Sequence, residues 1–349
     1  MADQSKGTIG ILTGGGDCPG LNAVIRAVVR RADMLGYKVL GVKDGWRGML
    51  NEQAEPLSLR EVSGILHRGG TILGTSRTNP LKKEEDKNKV KANMKKMGID
   101  YLIAVGGEDT LGVARFLAGE GLKVIGVPKT IDNDVEGTDQ TFGFDTAVSI
   151  VTEAIDRLHS TAESHHRVMV VEVMGRHTGW IATVAGLAGG ADCILIPEKQ
   201  VSIDSVCDII RSRRSRGKLF SIIVVSEGFQ LAGSDKDLVT KSAALDQFGH
   251  VQLGGIGDIV AREIERRTGF ETRATVLGHI QRGGTPTAYD RVLGTRYGVK
   301  AVDLIEEGKT GMMVSLQGTK ITAMPISEAL TKLKLVDPEL VETAAIFYG

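Results

Sequence analysis

Within its first 130 residues the chain repeats one local pattern, a short β-branched apolar run that stops at a glycine- or acid-rich turn. Thr8–Leu12 ends in Thr13-Gly14-Gly15-Gly16-Asp17-Cys18-Pro19-Gly20. Leu21–Leu35 then carries apolar residues at helical spacing, with Arg26, Arg30 and Arg31 on other faces. Lys38–Val42 leads to Asp44-Gly45-Trp46-Arg47-Gly48, read as an exit loop. Tyr101–Val105 leads to Gly106-Gly107-Glu108-Asp109-Thr110, with Leu111–Leu117 continuing as a helix. Val124–Val127 leads to Pro128-Lys129-Thr130-Ile131-Asp132-Asn133-Asp134, read as a loop. Val127 precedes a proline and is biased toward extended geometry, as at the end of a strand. Such a chain is expected to build an α/β fold with mainly parallel sheets covered on both faces. Its polar residues then collect at strand ends, and in open α/β sheets ligands bind at the carboxyl edge.

The pattern continues with Val168–Val173 ending at Met174-Gly175-Arg176-His177, with Cys193–Ile196, and with Phe220–Val225 opening into Ser226-Glu227-Gly228. Helices are expected over Asp145–Thr161, Val206–Arg216 and Ile256–Thr268. The run Ala274–Leu277 is followed by Gly278-His279-Ile280-Gln281-Arg282-Gly283-Gly284. A length of 349 residues exceeds a usual single core, so two domains are expected. Acidic and basic residues balance at 43 each, so no broad field recruits nucleic acid or an anionic membrane. No apolar run approaches the ~20 residues that cross a bilayer, and the N-terminal stretch lacks a signal peptide's apolar segment. Cys18, Cys193 and Cys207 are scattered and read as reduced thiols. The expectation is a cytoplasmic protein.

Any one of these turns could be a helix cap or a packing turn. Together they supply the parts of one chemistry. Arginines at strand ends suit a phosphate monoester, whose oxygens match the guanidinium fork. The carboxylates suit Mg²⁺, which shares its shell with phosphates and water. Phosphoryl transfer needs an anchored donor, neutralised charge and a carboxylate for the acceptor's proton. The first glycine turn is neither a Walker A loop nor the GxGxxG of a nicotinamide enzyme.

The set TGGGDCPGLN, GGTILGTSR, GGEDT, PKTIDND, VMGR, SEG and ETRATVLGHIQRGG, in unbroken order from about Gly7 to Tyr297, resembles the phosphofructokinase family. The resemblance implies two Rossmann-like α/β/α domains, residues 1–143 plus about 281–331 for the donor and 144–280 plus about 332–349 for the sugar phosphate. The active site would lie in the cleft between them. It implies a reaction of glycolysis or gluconeogenesis and a homodimer or homotetramer whose active sites are completed across a subunit interface. By motif, Asp132 would be the general base on the 1-hydroxyl of fructose 6-phosphate. Thr130, Ile131, Met174, Gly175, Arg176 and Glu227 would line the sugar, and Asp134 would tune the loop. Arg167 and Arg273 would reach the 6-phosphate from the adjacent subunit, with His279, Ile280, Gln281 and Arg282 completing that pocket. Gly15 and Arg77 would hold the donor, and Glu108 would hold Mg²⁺.

Two departures bear on the donor. Where ATP-using relatives have GGDG and PGTIDND, this chain has Gly106-Gly107-Glu108-Asp109 and Pro128-Lys129. Asp109 replaces a glycine that leaves room for a nucleotide's α-phosphate, and Lys129 adds a cation for a bare pyrophosphate. The resemblance is therefore to the pyrophosphate-dependent branch, with Asp109 and Lys129 as donor-specificity and catalytic residues and the reaction reversible. An ATP-dependent enzyme and a catalytically silent regulatory subunit are the alternatives. The effector pocket of regulated relatives is only partly matched: Arg26, Arg30 and Arg216 are basic there, but Leu59 and His159 stand at arginine positions.

Overall fold

The computed structural model describes residues 5–231, 240–242 and 252–349. In chain order the strands are β1 (Thr8–Thr13), β2 (Lys38–Val42), β3 (Ala54–Pro56), β4 (Tyr101–Gly106), β5 (Val124–Thr130), β6 (Phe142–Gly143), β7 (Val168–Val173), β8 (Cys193–Leu195), β9 (Ser221–Ser226), β10 (Thr240–Ser242), β11 (Gln252–Leu253), β12 (Thr272–Val276), β13 (Met312–Gln317) and β14 (Lys320–Pro325). The helices are α1 (Leu21–Leu35), α2 (Trp46–Leu50), α3 (Glu84–Lys96), α4 (Glu108–Gly119), α5 (Phe144–His165), α6 (Trp180–Ala188), α7 (Ile203–Ser215), α8 (Ile256–Thr268), α9 (Ala288–Glu306) and α10 (Pro338–Ala345). The chain divides into two units. One is Met1–Ile131, Val135–Thr146 and Arg282–Leu333; the other is Asp132–Asp134, Ala147–Gln281 and Lys334–Gly349.

The first unit is built on a sheet of order β14-β13-β5-β4-β1-β2-β3, with β6 pairing beside β5. β1 runs parallel to β2 and β4, β4 to β5, and β5 to β13, while β3 and β14 are antiparallel edges. The apolar runs fill both faces: Ile9, Ile11, Leu102, Ile103, Ile125 and Val127 are fully buried, as strands of a parallel sheet require. Leu12, Trp46, Met94, Leu111, Leu117 and Met313 share one core. Each such side chain contributes about 1.5–3 kcal/mol on burial. Helix α9 lies close along α1 because Gly298 lacks a side chain; a Cβ there would sit 2.7 Å from the Val24 carbonyl oxygen. From β1 the chain passes through α1 to β2 on one side, and from β4 through α4 to β5 on the other. The turns after β1 and β4 thus flank a topological switch point, where such sheets bind ligands.

The second unit carries an all-parallel sheet of order β12-β7-β9-β8. Its core joins Val170, Leu195, Cys207, Ile223, Val225, Phe229 and Ile264. The buried Glu172 of β7 accepts hydrogen bonds from the Gly255 and Gly257 amides (3.0 and 2.8 Å). That carboxylate caps α8 and complements its dipole. Among the described residues no helix is long and apolar enough to cross a membrane.

Three expectations need correction. The expected loop from Pro128 begins as strand, since β5 runs on to Thr130. Pro128 is tolerated there because it faces Gly106 at the last β4–β5 pairing, where the ladder is ending. The exit loop at 44–48 contains the start of the short helix α2, whose Trp46 and Met49 are drawn into the core. Finally, α4 starts at Glu108, so its two acids form the first helical turn.

Candidate active site

In the first unit the turns after β1 and β4 are locked together. The Gly14 amide donates to the Val105 carbonyl (2.9 Å). The buried Thr110 fills the space that side chains on Gly14 and Gly106 would take, with Cβ positions 2.5 and 2.3 Å from Thr110 atoms. Gly15 has φ +77, a left-handed conformation that favours glycine. Its amide donates to the Ser76 carbonyl (3.3 Å), and its carbonyl accepts from the Thr75 hydroxyl (2.6 Å). The segment bearing the exposed Arg77 therefore braces the glycine turn. Glu108 is exposed and Asp109 half-buried in the first turn of α4, where carboxylates are favoured by the helix dipole.

Two cations reach this turn. Lys129 is only 3 % exposed, and its ammonium donates to the Gly16 carbonyl. Its Nζ lies 3.6 Å from where a Cβ of residue 15 would be. The Arg282 guanidinium lies against Gly16, whose hypothetical Cβ would fall 1.7 Å from Nη1. Thus Arg282, expected in the sugar-phosphate pocket, is placed on the glycine turn of the first unit. Cys18, below it, donates weakly to the Phe142 carbonyl (3.6 Å). Burial drives its thiol pKa far up, with Lys129 opposing, so it is no nucleophile. Thr130 closes the strand, its carbonyl accepting from the Thr141 hydroxyl (2.7 Å), while the Ile131 side chain is buried and can offer a ligand only its backbone.

In the second unit Asp132 is 5 % exposed, and its carbonyl accepts from the Thr178 hydroxyl (3.4 Å). Asn133 adopts φ +53, a region asparagine visits more readily than most residues. The Asp134 carbonyl accepts from the Lys334 amide (3.0 Å). The turns after β7 and β9 interlock. The Glu227 amide donates to the Val173 carbonyl (2.8 Å), and the Arg176 amide to Glu227 Oε1 (3.3 Å). Gly175 at φ +148 and Arg176 at φ +49 turn the chain sharply. The Met174 amide donates to Gln281 Oε1 (3.2 Å), bringing in the turn at Gly278–Arg282, on which His279 and Ile280 are exposed. Asp132, Met174, Gly175, Arg176, Glu227, His279, Ile280 and Gln281 therefore all belong to this unit.

Arg167 and Arg273 lie elsewhere on the same unit. Arg167 precedes β7 and Arg273 is the second residue of β12, whereas Met174–Arg176 and Gly278–Arg282 follow those strands. β7 has six residues and spans roughly 20 Å, and Arg273 pairs in register with Met169, the second residue of β7, so both arginines lie toward the opposite end of the strands. Both pair with Glu271, at 2.8 and 2.6 Å. Strand direction, which separates them from the other site residues, is invisible in a list of strand-end arginines.

The family profile described as Phosphofructokinase matches residues 8–305. The chain belongs to the phosphofructokinase family. It is 57 % identical over 343 residues to a pyrophosphate–fructose 6-phosphate 1-phosphotransferase of Streptomyces coelicolor, covering 98 % of this chain and 99 % of that one. It is 52 % identical over 343 residues to an ATP-dependent 6-phosphofructokinase of Corynebacterium efficiens, covering 98 % and 99 % respectively. Among solved structures, the phosphofructokinase of Pichia pastoris in the T-state superposes with a TM-score of 0.84 at 32 % identity, covering 99 % of this chain and 36 % of that larger one. The relative named for pyrophosphate is the more similar of the two, 57 % against 52 % identical, so overall similarity favours pyrophosphate over ATP. Two residues, Thr110 in the first unit and Thr178 in the second, were not singled out from sequence. Each is a buried threonine whose side chain ties neighbouring turns, and only the adjacency of Thr110 to the Glu108-Asp109 pair hinted at either.

Proposed function

We propose that this phosphofructokinase transfers a phosphoryl group from pyrophosphate to the 1-hydroxyl of fructose 6-phosphate, reversibly, giving fructose 1,6-bisphosphate and phosphate. The observation that supports this best is Lys129, a buried ammonium held at Gly16 and 3.6 Å from where a Cβ of residue 15 would be. A cation in that place meets the charge of a bare pyrophosphate. Asp109, in the first turn of α4, opposes a nucleotide's α-phosphate by volume and charge. The Streptomyces coelicolor relative, named for pyrophosphate, supports the same reading.

In this reading the donor lies against Gly15, Arg77, Lys129 and Arg282. Asp132 takes the proton of the 1-hydroxyl as its oxygen bonds to the transferring phosphorus and the bridging P–O bond of pyrophosphate breaks, releasing phosphate. Thr130, Met174, Gly175, Arg176, Glu227 and His279 orient the sugar. Among the described residues no three His, Cys, Asp or Glu side chains are arranged as a metal cage. This fits Mg²⁺, which takes one or two carboxylates and fills its shell from phosphates and water. Glu108 would hold the ion, and bound Mg²⁺ would neutralise donor charge. Arg167 and Arg273, toward the far end of the strands, would serve the 6-phosphate of a neighbouring subunit in a homo-oligomer. The three cysteines are free thiols, in keeping with a cytoplasmic setting.

The Corynebacterium efficiens relative, ATP-dependent by name, favours a second reading with ATP as donor. A coupled assay with fructose 6-phosphate, Mg²⁺ and each donor separates the two. Pyrophosphate should support turnover and ATP little, with Asp109→Gly gaining ATP activity. Turnover with ATP equal to that with pyrophosphate would overturn the proposal.

A further inference from the structure

We propose that Gln281 is a positioning residue that ties together the turns of the sugar face, rather than a contact to the sugar; this rests on the assignment of that face to fructose 6-phosphate. In the Gly278–Arg282 turn, His279 and Ile280 point outward, Ile280 at 60 % exposure, while Gln281 is wholly buried at 0 %. Both ends of its amide are engaged within the protein. Oε1 accepts from the Met174 amide (3.2 Å), and Nε2 donates to the Gly278 carbonyl (3.0 Å). The first bond crosses from the turn after β12 to the first residue after β7. Two residues on, the Arg176 amide donates to Glu227 (3.3 Å), after β9.

One path, Gln281 to Met174, through Gly175 to Arg176, then to Glu227, therefore links three adjacent strand ends. The sharp bend at Gly175 and Arg176, with φ +148 and +49, needs outside bonds to persist, because backbone in sparsely populated regions relaxes when its support is removed. A side chain buried at 0 % with its amide spent on Met174 and Gly278 is poorly placed to recognise a sugar hydroxyl. It recognises the conformation of the loop that does.

The test uses Gln281→Met, which keeps the side chain's length and removes both bonds. Dissociation constants are measured for fructose 6-phosphate and for analogues each lacking one hydroxyl, beside the KM for pyrophosphate. A tie lost from beneath the loop should weaken all of these sugar phosphates by a similar factor of about ten, the scale of one or two hydrogen bonds. The pyrophosphate KM should stay within about twofold. A loss that vanishes for one analogue would mean that Gln281 contacts that hydroxyl, and no loss at all would mean the tie is idle; either overturns the proposal. Hydrogen exchange of the Met174 amide in the unmodified protein provides a readout that does not need the variant to fold. Slow exchange, matching the β7 amides, is expected, and exchange at the rate of an open turn would refute the bond. Failure of the unmodified protein to bind fructose 6-phosphate would instead remove the functional assignment, leaving the Met174 amide to decide the tie.

Discussion

Replacing Lys129 by methionine removes a charge and little volume. The ammonium sits 3.6 Å from the position of a Cβ on residue 15, and in the proposed reaction a donor oxygen rests at about that separation. At an effective dielectric constant of about 20, unit charges at that separation attract by about 4–5 kcal/mol. Part of this is already spent on the Gly16 carbonyl, so about 4 kcal/mol is an upper expectation, or roughly a thousandfold in kcat/KM for pyrophosphate. Most of the residues proposed to orient the sugar belong to the other unit, and Lys129 is not among them, so the KM for fructose 6-phosphate should change by less than about threefold. Methionine suits a buried site, and the melting temperature should hold or rise. Steady-state kinetics with each substrate varied in turn, beside a thermal melt, measures all three quantities. A fall below tenfold in pyrophosphate efficiency, or a larger effect on the sugar than on pyrophosphate, would refute the placement of the donor over Gly15.

Asp132→Asn should lower kcat by about a hundredfold to ten-thousandfold, the usual worth of a positioned base, while equilibrium binding of fructose 6-phosphate changes little; an unchanged kcat would mean another group takes the proton. Asp290 offers a pH test. It accepts from the Thr146 amide and hydroxyl (2.8 and 2.5 Å), and burial, outweighing these bonds, raises its pKa to about 6. A carboxyl whose folded pKa is raised stabilises the fold below its unfolded pKa, near 4, and loses that contribution as pH climbs through 6. Asp290→Asn should therefore gain stability over the parent protein between about pH 4 and 7, by up to about 3 kcal/mol. Denaturant melts across that range check this, and parallel curves for the two proteins would contradict it.

Much of the fold was legible because local pattern and tertiary demand agree. The bounds of α1, β2, β7 and α8 follow directly from apolar spacing and the glycines that end them. The site motifs were legible for a related reason: a glycine turn, paired acids and a lysine after a strand are costly in a core and useful at a sheet edge. What sequence hid was mostly long-range. Helix α9 was not anticipated, since Gly294 and Gly298 interrupt its pattern for the sake of packing on α1. Strand β5 extends past Pro128 because of pairing partners that local preference does not register. Burial separates Gln281 from its exposed neighbours, and strand direction separates Arg167 and Arg273 from His279. Neither can be read from residue type. The placement of Arg282 on Gly16 is likewise a long-range contact.

The use of pyrophosphate is tested most directly in reverse, by incubating the protein with fructose 1,6-bisphosphate, Mg²⁺ and isotopically labelled orthophosphate, with no nucleotide present. Label should appear in pyrophosphate as fructose 6-phosphate accumulates. If no labelled pyrophosphate forms, while ADP in place of orthophosphate yields ATP, the role given to Lys129 and Asp109 is wrong.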